Sequence, residues 1–256
     1  MGDMMKYGQY EALASFYDGL NPDVDYVKWA AFIEDIFKKY GTLDTKIVLD
    51  LACGTGSMTI ELAKLGYEMI GVDLSSEMLM EAQNKAYESE QSILFLHQNM
   101  CEIDLYGTVD ACVCCLDSIN YLLKTADVEK CFSLVHNYLV TDGIFIFDLN
   151  TPYRFENGYA RHDYVLEEEG VLLAWQNFYN EKNKTCDFVL SLFCENEDGS
   201  YERYDEEQRE KSYSMSTVKK LLAKTGFELL DIYGGYDFSG ICDNSDKWFF
   251  VCRCIK

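Results

Sequence analysis

Positive charge is scarce in this sequence. Lysine and arginine number 22 against 44 aspartates and glutamates, which leaves a net charge of -22 and a pI near 4.4. Nucleic acids and anionic membrane surfaces both demand a positive footprint, so neither is expected as a partner. Small neutral or cationic substrates suit the composition better. Long apolar runs are missing as well, and none approaches the roughly 20 residues of a membrane-spanning helix. The opening residues, Met1 to Tyr7, lack the character of a signal peptide, and Lys6 stands where a myristoylation motif begun by Met1-Gly2 needs Ser or Thr. The expected location is the cytoplasm.

The 11 cysteines include no pair of C-x-x-C knuckles and no Cys/His set, so no metal site is expected. Most lie in apolar runs such as Ala111 to Leu116 and Val251 to Cys254. There they read as small hydrophobic fillers of a reduced protein, with Cys112 and Cys114 on one strand face. His97 and His136 read as structural, and His162 as a polar turn residue of the insert described below. Repeats, low-complexity tracts and obvious linkers are also absent. The 256 residues suit one α/β domain with a moderate insertion.

Two phosphate-binding signatures are missing where they would be expected. In the segment Lys46 to Gly56, an apolar run (Ile47, Val48, Leu49) leads into DLACGTG, from Asp50 to Gly56, and a helical pattern follows in Ile60, Leu62, Ala63 and Leu65. A dinucleotide fingerprint would place a third glycine where Thr59 stands, and the acidic Asp50 would repel a phosphate. No P-loop spelling occurs. A second apolar strand ends in GVDLS, where Asp73 is placed to accept a hydrogen bond from each of two adjacent ribose hydroxyls. The ligand is therefore nucleoside-like, and a cation is tolerated beside it.

Strand and helix alternate through the first part of the chain. Helices are expected over Tyr10 to Asp18, Val24 to Tyr40, Gly56 to Leu65, Ser76 to Tyr87 and Ala126 to Leu139, with Ser75 or Ser76 capping the fourth. Strands are expected over Ile47 to Leu51, Glu68 to Val72, Ile93 to His97, Val109 to Leu116 and Gly143 to Leu149, where Gly143 would stop the preceding helix. From Tyr153 to Tyr213 the period changes to two. Runs over Val171 to Tyr179, Thr185 to Cys194 and Tyr201 to Tyr204, separated by turns at Asn180 to Lys184 and Glu195 to Ser200, predict a small antiparallel sheet. A helix over Ser216 to Thr225 and strands over Phe227 to Tyr233 and Trp248 to Cys254 follow. The domain reading is a core of residues 1–152 and 213–256 with a lid or substrate subdomain over 153–212.

DLACGTG together with GVDLS resembles motifs I and II of the class I methyltransferases that use S-adenosylmethionine (AdoMet). The N-terminal Tyr10 to Asp18 with Asp25-Tyr26 and Trp29, the stretch Leu116 to Leu122, and Phe147 to Pro152 extend the likeness to the small-molecule branch that includes sugar and glycine-type N-methyltransferases. The resemblance implies a Rossmann-like, doubly wound α/β fold with a seven-stranded sheet whose last strand is antiparallel. It also implies methyl transfer from AdoMet to nitrogen or oxygen of a small molecule, the alternative being a non-catalytic AdoMet-binding sensor or accessory protein.

Carried over by position, Asp50, Ala52, Cys53, Gly54, Thr55 and Gly56 hold the methionine portion, Asp73 the ribose and Leu74 a face of the adenine. Asn99 and Met100 meet the adenine edge, and the Leu116 carbonyl takes the ligand's amino group. Tyr17, Tyr26 and Trp29 close over the sulfonium, while Tyr17 or Asp117 assists the acceptor. Relatives often carry a histidine near the end of the insert, but Glu206 to Tyr213 has none, so the likeness does not extend to a particular substrate.

Overall fold

A computed structural model describes residues 13–256 apart from 22, 42, 43 and 169. Seven strands build the main sheet: β1 (Ile47–Leu51), β2 (Glu68–Asp73), β3 (Leu94–His97), β4 (Val109–Cys114), β5 (Leu139–Asn150), and two late strands, β10 (Phe227–Tyr233) and β11 (Lys247–Cys254). Their order is β10-β11-β5-β4-β1-β2-β3. β1 to β5 run parallel, and β11 is antiparallel to both neighbours. The order reverses between β1 and β4, and a doubly wound sheet opens its crevice at that point. The chain thus has the Rossmann-like architecture with an antiparallel final strand that the resemblance implied.

Alternation along the strands explains why both faces are covered. Val48, Ala111, Val113, Ile144 and Ile146 pack with Trp29, Phe32, Ile33, Ile36 and Leu62 of helices α1 (Tyr26–Tyr40) and α2 (Ser57–Lys64). Their immediate neighbours Leu49, Cys112, Cys114, Phe145 and Phe147 pack on the other side with Val128, Phe132, Val135, Val218 and Leu222. Those partners come from helices α4 (Thr125–Tyr138) and α5 (Met215–Lys224), while α3 (Ser76–Glu88) lies between β2 and β3 in the chain. Successive side chains of a strand point to opposite faces, so each apolar run feeds two cores at once. Cys112, Cys114, Cys252 and Cys254 are unpaired and fully buried in the second core, as fillers.

Several boundaries differ from the sequence reading. The stretch expected as a helix from Tyr10 begins outside the described residues, and its described part holds only a short 3-10 turn, Ala14–Phe16. Gly143 does not end a helix: α4 passes directly into β5, whose Leu139 already pairs with Val109. Gly143 lies where the register of β4 and β5 shifts, and a Cβ there would come within 2.8 Å of the Asp110 carbonyl oxygen. Close backbone approach, not helix termination, is what that glycine serves.

The insert is a separate four-stranded antiparallel sheet, β6 (Tyr164–Glu168), β7 (Val171–Asn180), β8 (Thr185–Glu195) and β9 (Tyr201–Lys211). β9 extends well past Tyr204 and pairs with β8 along its whole length. Its continuation was hidden because the inward positions Glu206, Gln208 and Glu210 are polar, yet buried. Leu13 and Leu20 pack into the apolar core of this sheet with Phe155, Tyr159 and Phe188. The N-terminal segment therefore bridges the insert and the crevice.

Candidate active site

β1 delivers Asp50 to the crevice and the chain then turns through three left-handed residues, Ala52 (φ 60°), Gly54 (φ 54°) and Gly56 (φ 74°). A Cβ on Gly56 would stand 2.9 Å from that of Ala82 on α3, so this glycine permits the start of α2 to lie against α3. Asp73, at the tip of β2, fastens the turn from the other side. Its carboxylate accepts from the Gly54 N–H at 2.8 Å and the Ser75 N–H at 2.9 Å. Ser75 in turn caps α3 by accepting from the Met78 N–H at 3.1 Å. Burial pushes the Asp73 carboxyl above its ordinary value, against the pull of these N–H donors.

Asp50 is 1% exposed and accepts from the Thr59 hydroxyl at 2.5 Å. Thr59 occupies the place of a third glycine, so the departure from a dinucleotide fingerprint has a structural role: its hydroxyl serves the buried carboxyl. Burial raises the Asp50 pKa from 3.8 to about 7, only partly offset by that hydroxyl.

The crevice is a cavity of about 520 Å³. Tyr17, Tyr26, Asp50, Ala52, Cys53, Gly54, Thr55, Asp73, Leu74, Asn99, Met100 and Leu116 all line it, together with Ser57, Gln98, Cys115, Ser118 and Tyr121. Its only charged lining side chains among the described residues are Asp50, Asp73 and Glu77. An all-acidic wall disfavours a phosphate and favours a cationic nucleoside-like ligand. The Asn99 side-chain oxygen accepts from the Cys101 N–H at 2.8 Å; with two lone pairs, an amide oxygen can also accept from an adenine amine.

Three expected residues take other places. Gly56 caps α2 and donates its N–H to the Cys53 carbonyl at 2.9 Å, shaping the turn from behind. Trp29 is 3% exposed, stacked on Tyr236 at 5.6 Å and edge-on to Phe249 at 5.5 Å. It is a core residue and does not line the cavity: it lies one helical turn, about 4.5 Å, along α1 from Tyr26. Asp117 does not line the cavity either. Its carboxylate pairs with the ammonium of Lys247, which also donates to Asp148 at 2.7 Å.

Behind the Leu116 wall lies a polar cluster of which sequence reasoning missed Lys247 and Glu210. Asn120 accepts from the Asn150 N–H at 3.0 Å and donates to the Lys211 carbonyl at 2.8 Å. Asn150 donates to Glu210 at 3.1 Å and to the Tyr159 hydroxyl at 3.2 Å. Burial, then the charge of Asp117, pushes the Glu210 carboxyl up. Burial opposes the Lys247 charge, but Asp117 and Asp148 outweigh it and hold the ammonium above its ordinary value. The available signals were a single lysine opening the apolar run Trp248 to Cys252 and acidic residues at alternate positions in β9.

The N-terminal segment is tied across the crevice. Asp18 accepts from the Thr55 hydroxyl at 2.9 Å and the Ser57 hydroxyl at 3.0 Å, and pairs with Lys85 of α3. Leu13 donates its N–H to Glu206 of β9 at 2.9 Å. Both ends of residues 13–18 are thus hydrogen-bonded to separate elements, with Tyr17 between them.

Comparison with known proteins agrees with this geometry. Residues 48–143 match the family model described as a methyltransferase domain. The protein named "Putative methyltransferase YqeM" of Bacillus subtilis (strain 168) is 34% identical over 96% of this chain and 98% of its own. A glycine/sarcosine N-methyltransferase of Halorhodospira halochloris is 26% identical over 86% of this chain and 77% of its own. Among solved structures, an S-adenosylmethionine-dependent methyltransferase from Clostridium acetobutylicum ATCC 824 superposes with a TM-score of 0.87 at 30% identity, covering 96% of this chain and 99% of that one. The sugar N-methyltransferase KedS8 from Streptoalloteichus sp ATCC 53650 shares the fold at 20% identity, with a TM-score of 0.81 and 100% and 98% coverage. With the glycine turn, the Asp73 carboxylate at the tip of β2 and the acidic cavity on one crevice, the chain belongs to the S-adenosylmethionine-dependent methyltransferases.

Proposed function

We propose that this enzyme methylates a nitrogen or oxygen of a small, neutral or cationic molecule in the cytoplasm. The observation that carries the reading is the cavity itself. It is lined by acidic charges alone among the described residues, and it continues from the nucleoside end at Asp73 to Ser118, Tyr121 and Leu122. The hydroxyl of Tyr121 donates to Gln208 on the insert sheet at 2.9 Å. The insert over 153–212 then acts as the lid of the acceptor end, resting on a core of residues 1–152 and 213–256.

AdoMet supplies a methyl group on a positively charged sulfur, which an acceptor lone pair displaces in line. In this reading Asp50 and the turn from Ala52 to Gly56 hold the methionine portion, Asp73 grips the ribose, Leu74 covers the adenine, and Asn99 with Met100 meets its edge. The Leu116 carbonyl accepts from the amino group. Tyr17 and Tyr26 flank the sulfonium, where their rings favour its charge. In this reading Tyr17, which lines the cavity, also accepts a hydrogen bond from the incoming amine, whereas Asp117 is engaged with Lys247 and acts on the wall behind. Holding donor and acceptor in line can supply roughly 7–11 kcal/mol of barrier lowering.

The test is a panel of small amines and hydroxyl compounds scored for S-adenosylhomocysteine release, preceded by a calorimetric titration with that product. Binding and turnover with a panel member support the proposal. Tight binding with no turnover across the panel, and a lid filled by its own side chains, would favour a non-catalytic AdoMet sensor.

A further inference from the structure

Leu116 and Asp117 are consecutive non-glycine residues in the left-handed region, with φ of 57° and 54°. Side chains with a Cβ resist that conformation, and two in succession persist only where the surroundings over-determine them. The Asp117 N–H donates to Asp148 Oδ2 at 3.1 Å, and the Asn120 N–H donates to the Asp117 carbonyl at 2.8 Å. Ser118 closes the turn by donating to the Cys115 carbonyl at 2.8 Å. Lys247 completes the clamp: its ammonium donates to the same Asp148 oxygen at 2.7 Å and to the Asp117 carboxylate.

The Asp148 side chain is 0% exposed and that of Asp117 18%. Without the ammonium, two close carboxylates with little access to water would repel each other and release the turn. Lys247 comes from the far edge of the chain, where the first residue of β11 pairs with Asn150, and it does not line the cavity. Leu116, the residue just before the clamped N–H, does line it.

We propose that Lys247 is a positioning residue for the amino-acid tail of the cofactor. By neutralising and bridging Asp117 and Asp148 it holds the left-handed turn that aims the Leu116 carbonyl at the ligand's ammonium. The inference rests on the proposed assignment of that carbonyl. It predicts a defect confined to ligands that carry the tail.

The experiment compares S-adenosylhomocysteine with 5′-methylthioadenosine, which shares the nucleoside and thioether but lacks the amino-acid group. Lys247→Met should weaken S-adenosylhomocysteine binding by about tenfold or more, the range of one charge-assisted hydrogen bond. Binding of 5′-methylthioadenosine should stay within about twofold, and Lys247→Arg should restore most of the tail-dependent affinity. If Lys247→Met does not fold, the double variant Lys247→Met/Asp148→Asn removes one charge of each sign; with the repulsion gone and only the ammonium bridge missing, it should show a smaller loss that is still confined to S-adenosylhomocysteine. Equal weakening of both ligands, or of neither, overturns the proposal. Failure of the unaltered protein to bind S-adenosylhomocysteine at all would instead overturn the functional reading beneath it.

Discussion

Raising the pH from about 5.5 to about 7.0 should strengthen S-adenosylhomocysteine binding by roughly fifteenfold and leave 5′-methylthioadenosine unaffected. The reason is Asp50, buried at the cavity wall with a pKa of about 7 against an ordinary 3.8. With a pKa of about 7, roughly 3% of the carboxyl is ionised at about pH 5.5 and half at about pH 7.0. A ligand whose ammonium lies beside Asp50 returns it to its ordinary range, so binding below about pH 7 must expel a proton. Throughout this window the ligand's own amino group stays largely protonated, because the carboxylate beside it keeps its pKa at or above the α-amino range of about 7.7 to 8.0, and it adds little slope.

The same shift sets the sign for stability. A carboxyl raised on folding favours the fold fully below its unfolded value of 3.8, and that contribution is lost as pH rises through about 7. The thermal stabilisation given by S-adenosylhomocysteine should therefore grow with pH across this interval. Calorimetry in two buffers of different ionisation enthalpy counts the released proton directly, and Asp50→Asn should abolish both the release and the slope. A flat profile for S-adenosylhomocysteine, or an equal slope for 5′-methylthioadenosine, would refute the placement of a ligand cation at Asp50.

Asp73→Asn turns one acceptor of the Gly54 and Ser75 N–H groups into a donor. It should weaken S-adenosylhomocysteine and 5′-methylthioadenosine alike by about 1.5–3 kcal/mol in titration, because both carry the ribose. Asp18→Ala leaves Thr55, Ser57 and Lys85 without their common acceptor. The ion pair is partly exposed, at 38% for Asp18 and 27% for Lys85, so about 1 kcal/mol is expected, seen as roughly fivefold faster ligand dissociation in stopped flow; an unchanged rate would contradict a hold on the ligand by the N-terminal segment tied across the crevice. Gly56→Ala places a Cβ at φ 74° and within 2.9 Å of Ala82. A loss of about 1–3 kcal/mol is expected in urea unfolding.

The geometry of the proposed cofactor end was legible because its determinants are local. Asp50, Gly54, Gly56, Thr59 and Asp73 lie within one strand, turn, helix and strand, and each is constrained by backbone geometry or by a bond to a near neighbour in sequence. Trp29 illustrates the limit. Its spacing from Tyr26 suggests a shared face, but only the first turn of α1 reaches the crevice, and the next turns its ring into Phe249. The polar cluster behind Leu116 is written in long-range contacts: Lys247 meets Asp117 from 130 positions away, and Glu210 meets Asn150 from 60. A buried polar strand face such as that of β9 also breaks the apolar alternation by which strands are found, so the expected strand stopped at Tyr204.

The placement of Lys247 bears on how so acidic a chain keeps its cleft selective. An ammonium facing the cavity would repel a sulfonium and the ligand's amino group, whereas one shared between two carboxylates behind the wall adds almost no positive field in front of it. The cation is thereby used to shape the backbone while the cavity keeps the negative sign of Asp50, Asp73 and Glu77. Reversing the order should invert the outcome. Asp117→Ala and Asp148→Ala together would free the Lys247 charge toward the cleft, and S-adenosylmethionine, with its extra positive charge, should then lose more affinity than S-adenosylhomocysteine. If the two ligands weaken in equal measure, the separation of a structural cation from an acidic cavity has no electrostatic role in choosing the ligand.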